Sequence, residues 1–514
     1  MILLPVLMLL AGAADPQPAD LTLDDCIRLA LTNNLPLQVS RLDAEGSIQN
    51  FNSAWGQFDT TYFIESSVDR RTDAPTPSNI VGGNDLGDNG ATKVDTLSFV
   101  TGLRGQLLTG TLWEFDVGPR ASKVVVPTTG PDLEDQGFES EVFTGTWSLA
   151  VTQPLLRNGA DDFTTIGLEL ARHDATIASL NAESVASTTL QLVTVAYWNL
   201  VFARQTVRTS IESVNLATEL RDITQRKFEQ GLQNRINVTE VEAELATRQE
   251  ELLTAKNQSE AAQDLLRRLV FAPEDRKDWE RELRPITAPA PAEPVTIDVN
   301  AAIDVAMEYR ADVASARQVL ERSEVDERRA RNQVRPRLDL TGSYGLNANE
   351  PSYGSTFSNL DDTTFNEQRI ALSFEMQLGN RGAGYALRTA QLARQRAGVT
   401  LRDAELQTIS DVRNASREVQ LQIERVAATA ESTRLTRETY EGEKRRLEND
   451  LSTPFLVKQA QRDLLAAIDN ETRAQLDLEV ARAGLLFAEG RLIYAYGLER
   501  STPELSLDEA PPAP

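Results

Sequence analysis

Cysteine and histidine are almost absent, with one of each in 514 residues. A single thiol and a single imidazole cannot build a Cys/His zinc centre, a disulfide framework or a His-paired nucleophile with a metal ligand to spare. Positive charge is also short: 52 Lys and Arg face 77 Asp and Glu, for a net charge of −25. Affinity for nucleic acid comes mostly from cations that neutralise phosphates, so no nucleic-acid partner is expected. Aromatic residues make up 6% and charged residues 25% of the chain, a balance that favours long, solvent-rich helices over a compact enzyme core. No Gly-rich phosphate-cradling loop with its Lys and Ser/Thr occurs, so direct use of ATP is not expected. No cofactor, resident metal or catalytic constellation is expected, and the chain does not read as an enzyme.

Long apolar runs are scarce too. Met1 to Leu10 are nearly all apolar and lead into Ala11, Gly12, Ala13 and Ala14, which reads as an export signal over residues 1–14, although no Lys or Arg precedes it. That run is shorter than the roughly 20 apolar residues of a membrane-spanning helix, and no later stretch is expected to qualify. Cys26 lies on an amphipathic helical pattern and reads as a buried thiol. The expectation is an exported chain without a helical anchor.

What is present is internal repetition. Leu21 to Leu37 matches Ile297 to Val313 at a constant offset of 276, with apolar positions coinciding throughout. Residues 271–296 between the copies carry Pro273, Pro285, Pro289, Pro291 and Pro294, which no regular helix tolerates, so they read as a linker. Each copy has the same order: a helical segment, alternating strand-like runs, one very long helical pattern, an interruption and a second long helix. The first repeat covers 15–270, with strands at about 58–157 and a helical hairpin at about 160–270. The second covers 297–497, with strands at about 336–380 and a hairpin at about 381–497. Residues 498–514 read as a disordered acidic tail.

In the first hairpin Val207, Ile211, Val214, Leu220 and Ile223 recur at helical steps up to Gly231, and Val238, Val241 and Leu245 resume the seam. The outgoing helices run for roughly 70 residues, or about 100 Å at 1.5 Å per residue. Their apolar stripes are narrow, which suits a wall with one wet side.

The strand-like runs alternate. Leu97 and Phe99, Trp113 and Phe115, Trp147 and Leu149, Leu338, Leu340 and Tyr344, and Leu372, Phe374 and Met376 are apolar at every second position, with polar residues between. Runs of about 9 to 12 residues with one greasy and one wet face suit a membrane barrel, apolar towards lipid. A soluble sandwich shows the same alternation, but export without a helical anchor favours the barrel. Arg71 to Asp95 and Lys123 to Val142 read as long outward loops, and Thr109-Gly110-Thr111 as a tight turn. Asp85, Asp88, Asn89 and Asp95 fail the spacing of a calcium loop. His173 reads as a surface or tunnel-wall residue.

The duplicated Leu-Thr-Leu-Asp-Asp-Cys-Ile-Arg-Leu-Ala-Leu-Thr-Asn-Asn opening, Gln153-Pro-Leu-Leu-Arg-Asn-Gly159, Ala196-Tyr-Trp-Asn-Leu200 and Phe228-Glu-Gln-Gly-Leu-Gln-Asn-Arg-Ile-Asn-Val238 together resemble the TolC family of outer-membrane efflux proteins. The resemblance covers about Leu21 to Gly497. It implies a mainly α fold with a membrane β-barrel: a homotrimer with an α-barrel tunnel in the periplasm and one shared transmembrane β-barrel in the outer membrane of a Gram-negative-type bacterium. It further implies a periplasmic adaptor (membrane fusion) protein and an inner-membrane transporter as partners, in efflux or type I secretion. Passage would be passive, and the acidic excess of the sequence predicts cation preference if enough carboxylates face the lumen.

Family members typically give four strands per chain, whereas six runs occur here, so the hairpin around Leu97 to Val117 either joins the wall or folds over the mouth. The family's acidic constriction just after the second hairpin tip falls on Leu456 and Gln459 and is absent. Candidate tunnel-entrance residues are instead Gly231, Arg235 and Asn237 on the first tip and Asp450, Thr453, Pro454 and Lys458 on the second, with Asp450 first. Two competing readings are a periplasmic adaptor, which would show one hairpin per chain, and a secreted coiled-coil protein, which would leave the strands without purpose.

Overall fold

The computed structural model describes residues 19–74, 92–126, 138–159, 161–272, 279–350, 352, 355–356, 365–449, 451–498 and 505–507. These fall into two compact units. One draws on Met1–Gly46, Thr176–Val319 and Gly398–Pro503, the other on Ser47–Ala175, Leu320–Ala397 and Glu504–Pro514.

In the helical unit, the offset of 276 reappears element for element. Helix α1, Leu23–Asn33, is followed after one residue by α2, Leu35–Ala54; α6, Val299–Tyr309, is followed after one residue by α7, Ala311–Gln333. Both start on a side-chain cap that the sequence supplies. Thr22 accepts from Asp25 N at 3.1 Å while the Asp25 carboxylate accepts from Thr22 N at 3.1 Å, a reciprocal pair that satisfies two orphan donors. Asp298 accepts from Asn300 N and Ala301 N. The single extended residues at the joints, Asn34 and Arg310, are matched by the same shift.

The long helices are α4, Ile166–Glu229, and α8, Arg381–Glu448; their returning partners are α5, Arg235–Val270, and α9, Pro454–Ala488. A four-residue helix α3, Asp161–Thr164, precedes α4, and α10, Leu492–Ala495, follows α9. Leu190, Val193, Tyr197 and Leu200 of α4 pack with Cys26, Ile27 and Ala30 of α1, Leu266 of α5 and Leu492. Burial pushes the Cys26 thiol up to about 12, so it stays protonated, as a buried helical cysteine should.

One expectation about this helix needs correcting. Ile166–Glu229 does contain an 18-residue window apolar and long enough to cross a membrane, but half of that window is buried within the chain. Its apolar residues supply the core of the helical unit, which accounts for the composition. His173 is also buried instead of lying on the surface; it shares the inward stripe of Ile166 and Leu170, seven and three residues earlier.

The Pro-rich linker is pinned along its described length. Strand β1, Ala19–Leu21, pairs in parallel with β6, Leu283–Pro285. Arg204 donates to Leu283 O at 2.6 Å, the Glu479 carboxylate accepts from Ala290 N at 3.0 Å, and Arg482 donates to Pro291 O at 2.8 Å. Tyr197 fixes both strands' ends: its hydroxyl donates to Leu21 O at 3.1 Å and accepts from Thr287 N at 3.0 Å. Tyr197→Phe would leave Thr287 N without its acceptor, while Leu21 O keeps the bond from Ile286 N at 3.1 Å, and is expected to cost about 1–3 kcal/mol; urea unfolding with the α-helical signal as readout measures it.

The strand unit holds one six-stranded antiparallel sheet. Its members are β2, Thr61–Asp73; β3, Thr92–Gln106; β4, Leu112–Val126; β5, Phe138–Pro154; β7, Arg337–Glu350; and β8, Asn366–Glu375, in the order β2-β3-β4-β5-β7-β8. Strands from both repeats therefore share one sheet, joined where Trp147 faces Leu346 and Leu149 faces Tyr344. The hairpin around Leu97 to Val117 belongs to this sheet, so six strands pair side by side where the resemblance implied four. Its turn is as tight as expected: Leu107 N donates to Thr111 O at 2.9 Å and Gly110 has φ +81.

The strands run further into the expected loops than their composition suggested. Lys123 pairs with Glu139 and Arg70 with Asp95 across the ladder, so charged residues stay in register. Asp85, Asp88 and Asn89 lie outside the described residues. From the tail, Leu498 joins the core of the helical unit, and Leu505 and Leu507 pack against Phe51, Trp55 and Leu168; apart from 498 and 505–507, the tail lies outside the described residues.

Candidate functional site

Two regions carry chemistry, the faces of the sheet and the tips of the helical hairpins. On the sheet, register decides the faces, since residues directly opposite one another share a side. Leu97 faces Val68, Leu103 faces Phe115, Trp113 faces Val151, Phe115 faces Leu149, Leu149 faces Tyr344, Leu340 faces Leu372 and Leu338 faces Phe374. With Phe99 and Trp147 two residues from these positions, all eleven strand residues expected to be lipid-facing fall on one side. The twelfth, Met376, does not belong to a strand: β8 ends at Glu375, because Gly379 and Asn380 at positive φ turn the chain into α8.

Large apolar side chains on this face are bare, with Leu372 at 64% and Ile370 at 86% exposure. Aromatic rings cross it in a row, Phe115 to Trp147 at 6.2 Å and Trp147 to Tyr344 at 5.7 Å. At the loop end the same face turns charged, at Arg70, Asp95, Lys123 and Glu139. The opposite face is knitted by hydroxyls and carboxylates. Ser148 donates to Asp116 at 2.7 Å, Thr152 bonds Thr341 at 3.1 Å, and Thr144 donates to Asn349 at 2.8 Å. An apolar belt with a charged rim, backed by a hydrogen-bonding surface, is the pattern of a sheet with lipid on one side and water on the other.

At the first tip, α4 ends where Gly231 takes φ +76, with Gly231 N donating to Phe228 O and Leu232 N to Lys227 O. That pair of bonds closes the helix C-terminus and needs a left-handed residue. Asn234 then caps α5 by accepting from Asn237 N at 2.9 Å, and Asn237 itself donates to Gln233. Arg235 is exposed in the first turn of α5.

At the second tip, Thr453 caps α9 without a side-chain bond and Pro454 occupies its start. Lys458 bridges the hairpins: its ammonium donates to Glu240 at 2.8 Å and sits 5.4 Å from the Phe455 ring centre. Asp450, the leading candidate, lies outside the described residues.

The structure thus gives Gly231, Asn237 and Lys458 turn, capping and bridging duties, and it reveals an apolar feature that sequence reading missed. Leu232, Ile236, Leu451, Phe455 and Leu456 are all exposed at the tips. They lie off the Val238, Val241 and Leu245 seam, which was the available signal. Beside them Leu216, Leu220, Ile223, Tyr440, Leu447 and Val457 line a groove of about 310 Å³.

A short way up the hairpins, Glu244 is held by both Arg248 at 2.8 Å and Arg462. Burial alone would raise its carboxyl, but hydrogen bonds from Arg462 and Arg248 bring it below the ordinary 4.5. Its stabilisation is therefore complete above pH 4.5 and is lost as pH falls through the lower folded value. Glu244→Gln is expected to cost about 1–3 kcal/mol at pH 7, at the low end because Arg462 is half exposed. Melting temperatures of the two proteins should converge as pH falls below 4.5.

The chain matches the family described as outer membrane efflux protein over residues 129–270 and 302–491. No curated protein sequence matches it significantly. Among solved structures it is similar to the Campylobacter jejuni CmeC outer membrane channel, with 14% identity and a TM-score of 0.63 over 91% of this chain and 86% of that one. It is likewise similar to the outer membrane protein VceC from Vibrio cholerae, with 16% identity and a TM-score of 0.63 over 91% and 96%. The open state of the Neisseria gonorrhoeae MtrE outer membrane channel matches with 18% identity and a TM-score of 0.60 over 93% and 92%.

Proposed function

The chain belongs to the outer membrane efflux protein family, and on that premise we propose that three copies form one channel, with their strands in the outer membrane and their helical hairpins walling a periplasmic tunnel. It is an outer-membrane efflux channel. The observation that carries the finer reading is the six-stranded sheet with one predominantly apolar face crossing all six strands. Such a sheet in lipid must find partners for its edges, and further copies of the chain supply them.

Passage through the channel is passive, and direction comes from an inner-membrane transporter reached through a periplasmic adaptor. The exposed apolar tip residues and the neighbouring groove support docking of that adaptor at the hairpin ends. Outer-membrane retention after a high-salt wash tests the placement; release into the wash would refute it.

The strands' wet face carries Glu65, Asp69, Asp73, Glu114, Asp116, Asp339, Glu367 and Glu375 against Arg71, Arg104, Arg120, Arg337 and Arg369, a modest acidic excess. Reversal potentials in planar bilayers under a salt gradient should therefore show cation preference. Anion preference would contradict the luminal assignment of that face.

A further inference from the structure

The sheet leaves two edges open. Among the described residues no strand pairs with the outer side of β2, 13 residues long, or of β8, 10 residues long. Both edges lie in the apolar belt: Tyr62, Ile64 and Val68 on β2 and Ile370, Leu372 and Phe374 on β8 are exposed on the same face. The sheet is an antiparallel meander with an even number of strands, so β2 and β8 run in opposite directions. That polarity lets β8 of one copy pair antiparallel with β2 of the next, and the apolar faces then continue without a break. A sheet with an odd number of strands could not close this way. An unpaired edge in hydrocarbon would strand a row of N–H and C=O groups, each costing several kcal/mol.

We propose that β8 of each copy pairs with β2 of its neighbour, and that the pore is an eighteen-stranded barrel, with the β3–β4 hairpin forming part of its lipid-facing wall. The count rests on the three-copy reading above; the edge pairing and the six strands per copy do not. At about 4.8 Å between strands and a tilt of about 40°, eighteen strands close at a backbone radius of about 18 Å, against about 12 Å for twelve. After side chains line the wall, the bore is about 25 Å across. A polypeptide cargo carrying helical structure, about 10–12 Å wide, fits such a bore without unfolding.

Single cysteines test the wall. Cys26 is buried and protonated, so it does not compete for labels. Spin labels on Phe99→Cys and Phe115→Cys in liposomes should be quenched by oxygen and protected from a water-soluble nickel chelate; Ser98→Cys and Glu114→Cys should show the reverse. Four nickel-accessible sites would place the hairpin outside the wall and overturn the proposal. Double variants test the edges: each of Ile64, Ser66 and Val68 is paired in turn with each of Ile370, Leu372 and Phe374 as cysteines. At least one combination should oxidise to a covalent ladder ending at three chains, while Val117→Cys with Leu372→Cys should give none. No ladder from any edge combination overturns the edge pairing. A ladder ending at another number overturns the three-copy reading and the count of eighteen.

Discussion

Leu149→Arg is expected to cost about 2–4 kcal/mol of barrel stability and to remove the assembled protein from outer membranes, while Ala150→Arg leaves assembly intact. The two positions are neighbours in β5 with opposite exposures to solvent type. Leu149 lies mid-strand in the apolar row between Phe115 and Tyr344, whereas Ala150 lies opposite Glu114 and Ser343 on the wet face. With the apolar face in lipid, as proposed, a guanidinium at 149 enters hydrocarbon within the apolar belt, where a charge is costly. At 150 it meets water and a carboxylate, and the expected change is a shift towards anion permeation. Heat-modifiable mobility on gels after outer-membrane extraction measures the first effect and reversal potential the second. Equal tolerance of Arg at both positions would contradict the lipid-and-water assignment of the two faces.

Gly490→Ala is expected to destabilise the helical unit by about 3 kcal/mol or more. Gly490 ends α9 at φ +72, where its N–H bonds Phe487 O and Arg491 N bonds Leu486 O. A side chain there faces two penalties. The left-handed conformation costs an L-residue about 1–2 kcal/mol, and the new Cβ would lie 2.7 Å from Arg310 N and Tyr309 C, backbone that cannot give way without moving the α6–α7 joint. That joint is held by Arg310, which donates to Asp411 at 2.9 Å and Asp312 at 2.6 Å. The effect should appear as a lower urea midpoint and as trypsin cleavage near Arg310. Gly231→Ala serves as the contrast, since a Cβ at that tip meets nothing within 4 Å and only the conformational part applies.

Much of this was legible because it is periodic. The offset of 276 made both copies of the opening helical segment legible, since apolar stripes are local signals; the caps at Thr22 and Asp298 and the one-residue joints at Asn34 and Arg310 emerged only in the structure. Alternation predicted which residues share a side of the sheet: eleven of the twelve expected to face lipid lie on one side, because a pleated strand forces every second side chain to one side. Whether the β3–β4 hairpin joined the sheet was not legible, since pairing of β4 with β5 and of β5 with β7 is a long-range choice. The β1–β6 pairing joins Ala19 to Leu283 through three residues a side, too few to leave a pattern. His173 was misplaced because a lone polar residue on a long helix shows its face only through Ile166 and Leu170. At the tips, attention to charge passed over Leu232, Ile236 and Phe455, whose exposure follows from where the hairpins turn.

Electron microscopy of the detergent-extracted assembly tests the central claim most directly, that sheets from separate copies join around one watery bore continued by helical hairpins. The account predicts a threefold particle with an axial hole running through the strand region. A compact particle of one chain with no central passage would contradict it.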